Sequence, residues 1–275
     1  MDQNDFNQFR QFLEDACGIS LGENKQYLVS NRIRKILEDN KIDNLGELVR
    51  QLKQGVSRRL RDQVIDSMTT NETFWFRDTY PYEHLKNVHF PQLLTANNKS
   101  MGSVRIWSAA CSSGQEPYSI SIMVEEFKRQ QMGVLPKQVQ IVATDLSTSI
   151  MEQAKSGEYD KLSVLRGLSQ ERLDRYFDKS LNDNWRVKPF IKEKVEFRVL
   201  NLMDSYSSLG KFDMVFCRNV LIYFNGDLKR QILQKIHGCL KPGGILYVGS
   251  SESLSGASDL FEMIKCEPGI YYRAI

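Results

Sequence analysis

Asp145 closes an apolar run, Val139-Gln-Ile-Val-Ala-Thr-Asp145, about one strand–helix unit after the small-residue stretch that ends at Gly114. An acid at the end of a second strand can take both hydrogen bonds that a ribose diol offers, because a carboxylate has lone pairs on two oxygens. The same residue could instead cap a helix beginning near Ser147. Upstream, Val104-Arg-Ile-Trp-Ser-Ala-Ala-Cys-Ser-Ser-Gly-Gln-Glu-Pro-Tyr-Ser119 reads as a buried strand, a small-residue turn through Gly114, and a helix with Pro117 as its first residue. Small side chains let the backbone approach a ligand closely. A strand, a tight turn and a helix start form the crevice where open α/β sheets bind nucleotides, although an ordinary strand-to-helix turn explains the same residues. The stretch has neither G-x-G-x-x-G nor the Gly-Lys-Ser/Thr of a triphosphate loop. A third group lies in Met68-Thr-Thr-Asn-Glu-Thr-Phe-Trp-Phe-Arg-Asp78. There Asn71, Thr73 and Arg77 bring amide, hydroxyl and guanidinium groups beside three consecutive aromatics, which cannot all face one core. This segment reads as a lid over the crevice, with Arg77 pairing a ligand carboxylate, or equally as a plug between domains.

The elements that must position these groups follow from periodicity. Residues 1 to about 70 carry helical stripes: Phe6, Phe9, Phe12 and Leu13, then Tyr27, Leu28, Ile33, Ile36 and Leu37, then Leu45, Leu48, Val49 and Leu52 behind a capping Asn44. From residue 91 strands and helices alternate. Val195 to Asn201 and Phe212 to Arg218 read as strands, followed by Asn219-Val-Leu-Ile-Tyr-Phe224. Leu228, Ile232, Leu233 and Ile236 make an amphipathic helix. Lys241-Pro-Gly-Gly244 reads as a turn, Gly244 to Gly249 as a strand, and the tail as a closing hairpin. The polar stretch from Ser156 to Lys194, with its alternating part from Trp185, reads as a small insertion with hairpin character.

The 275 residues suffice for one large or two modest domains, and 41% hydrophobic with 26% charged residues suits a soluble protein. A net charge of +3 argues against a dedicated nucleic-acid binder. The five cysteines are scattered without C-x-x-C and the three histidines show no ligand spacing, so we expect no metal. No signal peptide and no membrane-length apolar run is evident, which suits a cytoplasmic protein. Arg50, Lys53, Arg58, Arg59 and Arg61 form a run without an acid, and Arg32, Arg34 and Lys35 form a second cluster. Both read as solvated helix faces or as docking faces for an acidic helical partner.

Taken together, Thr70-Asn-Glu-Thr-Phe-Trp-Phe-Arg77, Trp107 to Ile120, Ala143-Thr-Asp-Leu-Ser147, Asn201-Leu202, Phe216-Cys-Arg-Asn-Val-Leu-Ile-Tyr-Phe224 and Leu240-Lys-Pro-Gly-Gly244 resemble the chemotaxis receptor methyltransferases, the CheR family. These are S-adenosylmethionine-dependent protein-glutamate O-methyltransferases, and the resemblance covers almost the whole chain. It implies an α/β fold: a Rossmann-like, seven-stranded methyltransferase sheet with an N-terminal helical domain and a small antiparallel β-subdomain. The expected division is 1–80 for the helical domain with its hinge and 81–275 for the cofactor-binding domain, with the insertion at about 160–194. The resemblance places Asn71, Thr73 and Arg77 in the S-adenosylmethionine pocket, Glu116 at the amino-acid end, Asp145 at the ribose, Asn201 and Leu202 by the adenine, and Cys217, Arg218 and Asn219 at the fourth strand end. Tyr223, implied as catalytic, would stand near the transferred methyl.

The implied reaction transfers the methyl of S-adenosylmethionine to glutamate side chains of chemotaxis receptors, forming methyl esters for sensory adaptation and leaving S-adenosylhomocysteine. The implied partner is the receptor's cytoplasmic domain, met through the basic N-terminal helices, with the enzyme a monomer that neither inserts into membrane nor binds nucleic acid. Some relatives grip a receptor's C-terminal tethering peptide with the β-subdomain; the short turn between Phe177 and Trp185 argues against it here. Two rivals share the fold. A nucleic-acid methyltransferase would need a basic cleft, against the charge balance. An idle module that senses S-adenosylmethionine or S-adenosylhomocysteine would retain the same pocket residues.

Overall fold

The computed structural model describes residues 2–96, 103–131, 139–180, 183–254 and 256–275. Four helices open the chain: α1 (Gln3–Cys17), α2 (Gln26–Asn40), α3 (Leu45–Gln54) and α4 (Arg58–Met68). Asp2, Asn44 and Ser57 cap α1, α3 and α4 by accepting from backbone N–H groups in the first turn, the one place where helical amides lack partners. Phe6, Phe9, Leu13, Ile33 and Leu48 fuse into one apolar core, as their spacing predicts, and Val29 and Val64 join them. Tyr27 does not join it. It stands 62% exposed in the first turn of α2, and Val29, Ile33 and Ile36 form that helix's buried face instead.

The hinge splits its aromatics. Trp75 and Phe76 enter the core of the larger domain, while Phe74 lies between the guanidinium groups of Arg77 and Arg166. Phe76, Asp78 and Thr79 all take left-handed backbone conformations, a concentration of strain next to the cleft described below. Then follow α5 (Tyr80–His84), a π-helical turn (Leu85–His89), α6 (Phe90–Ala96), β1 (Val104–Ala109), α7 (Gln115–Gln130), β2 (Val139–Asp145) and α8 (Thr148–Ser156). β3 (Glu158–Tyr159), α9 (Lys161–Leu165), α10 (Gln170–Tyr176), β4 (Phe177–Lys179), β5 (Trp185–Val187) and α11 (Pro189–Lys192) build the small subdomain. The chain ends with β6 (Val195–Val199), β7 (Phe212–Cys217), α12 (Gly226–Cys239), β8 (Leu240–Tyr247), β9 (Phe261–Cys266) and β10 (Gly269–Ala274).

The main sheet has seven strands in the order β6-β2-β1-β7-β8-β10-β9. Its first four pairings are parallel, and β10 runs antiparallel to both neighbours. The chain leaves β1 in one direction and β7 in the other, so the carboxyl ends of β1, β2 and β7 open onto a shared crevice. β3, β5 and β4 form a separate antiparallel sheet, with Phe177 opposite Val187 and Lys179 opposite Trp185. Two residues of the β4–β5 turn, 181 and 182, lie outside the described residues, and with them part of the turn that bears on tethering.

Two local expectations need correction. α7 begins at Gln115, so Pro117 is its third residue rather than its first; the amide it lacks has no intrahelical partner at that position either. Lys241-Pro-Gly-Gly244 is not a turn before a strand but an irregular part of β8, where pairing with β7 shifts between Phe212 and Met214.

Candidate functional site

A cleft of about 970 Å³, counting its open mouth, lies over the carboxyl ends of β1, β2 and β7. The hinge contributes Met68 to Thr73 and Arg77, the β1–α7 turn Ala110, Cys111 and Ser112, and the loop after β7 Arg218 to Val220 with Tyr223 and Phe224. Ala110 and Ser112 both have left-handed backbones, so the turn wraps tightly under the cleft. Gly114 has a different task from the close ligand approach expected of it. Its φ is +93° and an added Cβ would meet the Ala154 Cβ and the Tyr159 hydroxyl at 3.1 Å, so it admits α8 and β3 against α7.

Asp145 is 7% exposed. One carboxylate oxygen accepts the Ser112 N–H at 2.8 Å and the other the Ser147 N–H at 3.0 Å. It is not the helix cap: the Ser147 hydroxyl accepts the Ile150 N–H at the start of α8. Burial pushes the Asp145 carboxyl above its ordinary pKa, against the pull of the Ser147, Ser112 and Leu146 amides. Backbone amides thus take up part of the carboxylate, and of the roughly four lone-pair sites on its two oxygens room remains for a further donor.

Deeper in the cleft wall is a charged cluster. Arg218, its side chain 2% exposed, meets Glu116 at 2.9 Å and Asp78 at 2.7 Å, and donates to the Arg77 carbonyl at 2.7 Å. Ser108 Oγ donates to the other Glu116 oxygen at 2.7 Å. Burying such charges demands this degree of pairing. Arg77 itself donates to the Glu72 carbonyl and forms no ion pair among the described residues, which leaves a cation at the cleft.

Of the residues singled out from sequence, Asn71, Thr73, Arg77, Glu116, Asp145, Asn201, Leu202, Arg218, Asn219 and Tyr223 all line this one cleft. Cys217 does not. It is the last residue of β7 and fully buried in the core with Trp107, Val142 and Val215. Asn201 has both ends of its amide committed, Nδ2 to the Ala16 carbonyl at 2.9 Å and Oδ1 to the Met203 N–H at 3.0 Å, so it joins the end of α1 to the cleft. Sequence reasoning missed Cys17 and Ile19, which line the cleft from the helical domain, and Asp78, the second acid on Arg218. It also missed the role of Arg32, which donates to the Met68 and Thr69 carbonyls and to Thr70 Oγ1, fixing the hinge rather than facing a partner.

Among the described residues no histidine lines the cleft. His84 and His89 lie in an aromatic cluster with Tyr247 and Tyr271, and His237 packs on Phe261.

Residues 4–69 match the family described as CheR methyltransferase, all-alpha domain, and residues 71–270 match CheR methyltransferase, SAM binding domain. The chain belongs to the CheR methyltransferase family. It is 58% identical over 270 residues to the chemotaxis protein methyltransferase Cher2 of Pseudomonas putida, covering 98% of each chain. It is 59% identical to chemotaxis protein methyltransferase 1 of Pseudomonas aeruginosa, with 98% of this chain and 97% of the relative covered. A chemotaxis protein methyltransferase of Vibrio parahaemolyticus is 46% identical, over 98% of this chain and 96% of its own. The protein is therefore a methyltransferase and its cofactor is S-adenosylmethionine. The donor set of the cleft suits that cofactor: a buried carboxylate with spare lone pairs for a diol, a cation in Arg77 for a carboxylate, and Glu116 for an ammonium group. Among the described residues no helix is long and apolar enough to cross a membrane.

Proposed function

We propose that this CheR-family enzyme works in the cytoplasm on chemotaxis receptors, transferring a methyl group to glutamate side chains and forming methyl esters. The observation that carries the reading is the cleft itself, where hinge, strand ends and the loop to Tyr223 converge around Asp145. Asp145 would hold the ribose, Glu116 and Arg77 the amino-acid end, and Leu202 the adenine. Asn201 would shape the adenine end through its link to Ala16. The division into a helical domain with hinge, 1–80, and a cofactor domain, 81–275, belongs to the same proposal.

S-adenosylmethionine supplies an electrophilic methyl on a cationic sulfur. A glutamate side chain with a pKa of about 4.3 is already the nucleophile at neutral pH, so no proton has to be removed. What the chain must do is orient and exclude water. Tyr223 lines the cleft beside Phe224, where its ring or hydroxyl can guide the incoming carboxylate. The exposed basic faces of α3 and α4 would meet an acidic receptor helix, since complementary charge speeds encounter.

The test is incubation with methyl-labelled S-adenosylmethionine and receptor-containing membranes. Label on membrane protein that mild alkali releases is expected. Alkali-stable label would redirect the reading to nitrogen or nucleic-acid methylation, and absence of label to a sensing module.

A further inference from the structure

Glu252 does not line the cleft, yet its carboxylate holds the segment that forms one of the cleft's walls. It is 6% exposed. Oε2 accepts the Asn219 N–H and the Gly249 N–H, both at 2.7 Å, and Oε1 accepts the Ile222 N–H at 3.2 Å. Three amides from two separate loops therefore converge on one buried carboxylate. The segment they hold would not keep its shape alone. Asn219 has φ +59°, a left-handed conformation that asparagine adopts more readily than other residues with a Cβ but that its surroundings must select. Leu221–Tyr223 is a single 3₁₀ turn whose own bonds are only two, Tyr223 N–H to the Val220 carbonyl and Phe224 N–H to the Leu221 carbonyl, both at 3.2 Å, with the Ser20 N–H reaching the Tyr223 carbonyl from the helical domain at 2.9 Å. The fit at Gly249 is tight as well: an added Cβ would stand 2.5 Å from Asn219 Nδ2 and 2.9 Å from Glu252 Oε2. Asn219 and Tyr223 line the cleft, one at each end of this clamped segment.

We propose that Glu252 is a positioning residue for methyl transfer. Its charge draws the Asn219 and Ile222 amides onto the end of β8 and so sets where Tyr223 stands over the bound cofactor. The inference rests on the reading of Tyr223 as the residue beside the transferred methyl. A carboxylate is required because both of its oxygens accept. A glutamine offers only one acceptor oxygen. With that oxygen on the Asn219 and Gly249 amides, its NH₂ meets the Ile222 N–H donor to donor. Glu252→Gln therefore releases the turn that carries Tyr223 while Asn219 stays held.

The experiment uses the full chain and three readouts: S-adenosylhomocysteine affinity by calorimetry, turnover in labelled methyl transfer to receptor-containing membranes, and amide hydrogen exchange. For Glu252→Gln we expect affinity within about threefold of wild type and turnover lowered about tenfold or more, since small misplacements act on the reacting geometry rather than on binding. Exchange should quicken at Ile222 and stay slow at Asn219 and Gly249. Glu252→Asp keeps the charge but is one methylene shorter, and should show the same split. Wild-type turnover in the folded Gln variant would overturn the proposal, as would affinity, turnover and melting temperature falling together. If the wild type itself labels no membrane protein, the receptor reading fails separately. The clamp is then decided by exchange: selective quickening at Ile222 with S-adenosylhomocysteine binding retained supports it, and unchanged exchange overturns it.

Discussion

Arg218 Nη1 and Glu116 Oε2 lie 2.9 Å apart in the wall of the cleft, with the arginine side chain 2% exposed and the glutamate 11%. The pair ties the loop after β7 to the first turn of α7, and Asp78 extends it to the hinge. Removing one partner of a buried pair leaves the others uncompensated, at a cost of about 3–5 kcal/mol. Arg218→Met should lower the free energy of unfolding by that amount in urea titrations. The double variant with Glu116→Gln should lose less than the sum of the single changes, because contacting residues do not add. An unchanged midpoint for Arg218→Met would contradict the pairing.

Asp145 accepts from the Ser112 and Ser147 amides, with the Leu146 amide beside them, and its two oxygens still have room for a further donor. Charge-assisted hydrogen bonds are worth roughly 1.5–3 kcal/mol each. Asp145→Ala should weaken S-adenosylhomocysteine binding by more than about tenfold, measured calorimetrically on a variant with native circular dichroism. Unchanged affinity would mean that the carboxylate serves only the two backbone amides.

How far the site was legible depended on distance along the chain. Asp145 announced itself because a strand's apolar run ends there, and Asn44 because a cap stands at a fixed offset from its helix. The helical stripes were legible for the same reason, and Tyr27 failed because the first turn of α2 begins before the buried face does. The Arg218–Glu116–Asp78 cluster joins residues 102 and 140 positions apart, and no local period records such a contact. Cys17 and Ile19 reach the cleft only because the helical domain packs over it. Cys217 shares a motif with Arg218 and Asn219, but it is the last residue of β7 and packs in the core, whereas Arg218 and Asn219 lie in the loop beyond the strand's end.

His89 is 1% exposed, and its Nε2 lies 2.8 Å from the Tyr247 hydroxyl. Burial first, and then the neighbouring charge of His84, push its pKa down from 6.5 to about 4. A histidine with a depressed folded-state pKa contributes stability that is present above its unfolded value and lost as pH falls toward the folded one. Wild-type stability should therefore drop between pH 6.5 and 4 more steeply than that of His89→Phe. The difference should be at most roughly 3.5 kcal/mol, from about 1.4 kcal/mol per unit. Denaturant midpoints across that window check it, and parallel slopes would contradict it.

Arg58 is 94% exposed, its Asp62 contact is long at 3.8 Å, and Arg59 beside it is exposed as well. Reversing both with Arg58→Glu and Arg59→Glu should slow receptor methylation without altering S-adenosylhomocysteine affinity. The loss should shrink at high salt, because surface attraction is screened within about 10 Å at 0.1 M. Equal rates for variant and wild type at low salt would leave these arginines as a solvated face.

A receptor glutamate as the methyl acceptor can be tested at the level of the single side chain. Tandem mass spectrometry of receptor peptides, after incubation with purified enzyme and methyl-labelled S-adenosylmethionine, locates the transferred group on a single side chain. The label is expected on glutamate carboxyl groups of the receptor's cytoplasmic helices, as an ester lost on mild alkaline treatment. Label on lysine, arginine or glutamine nitrogen, or on no receptor peptide while another macromolecule is labelled, would contradict it.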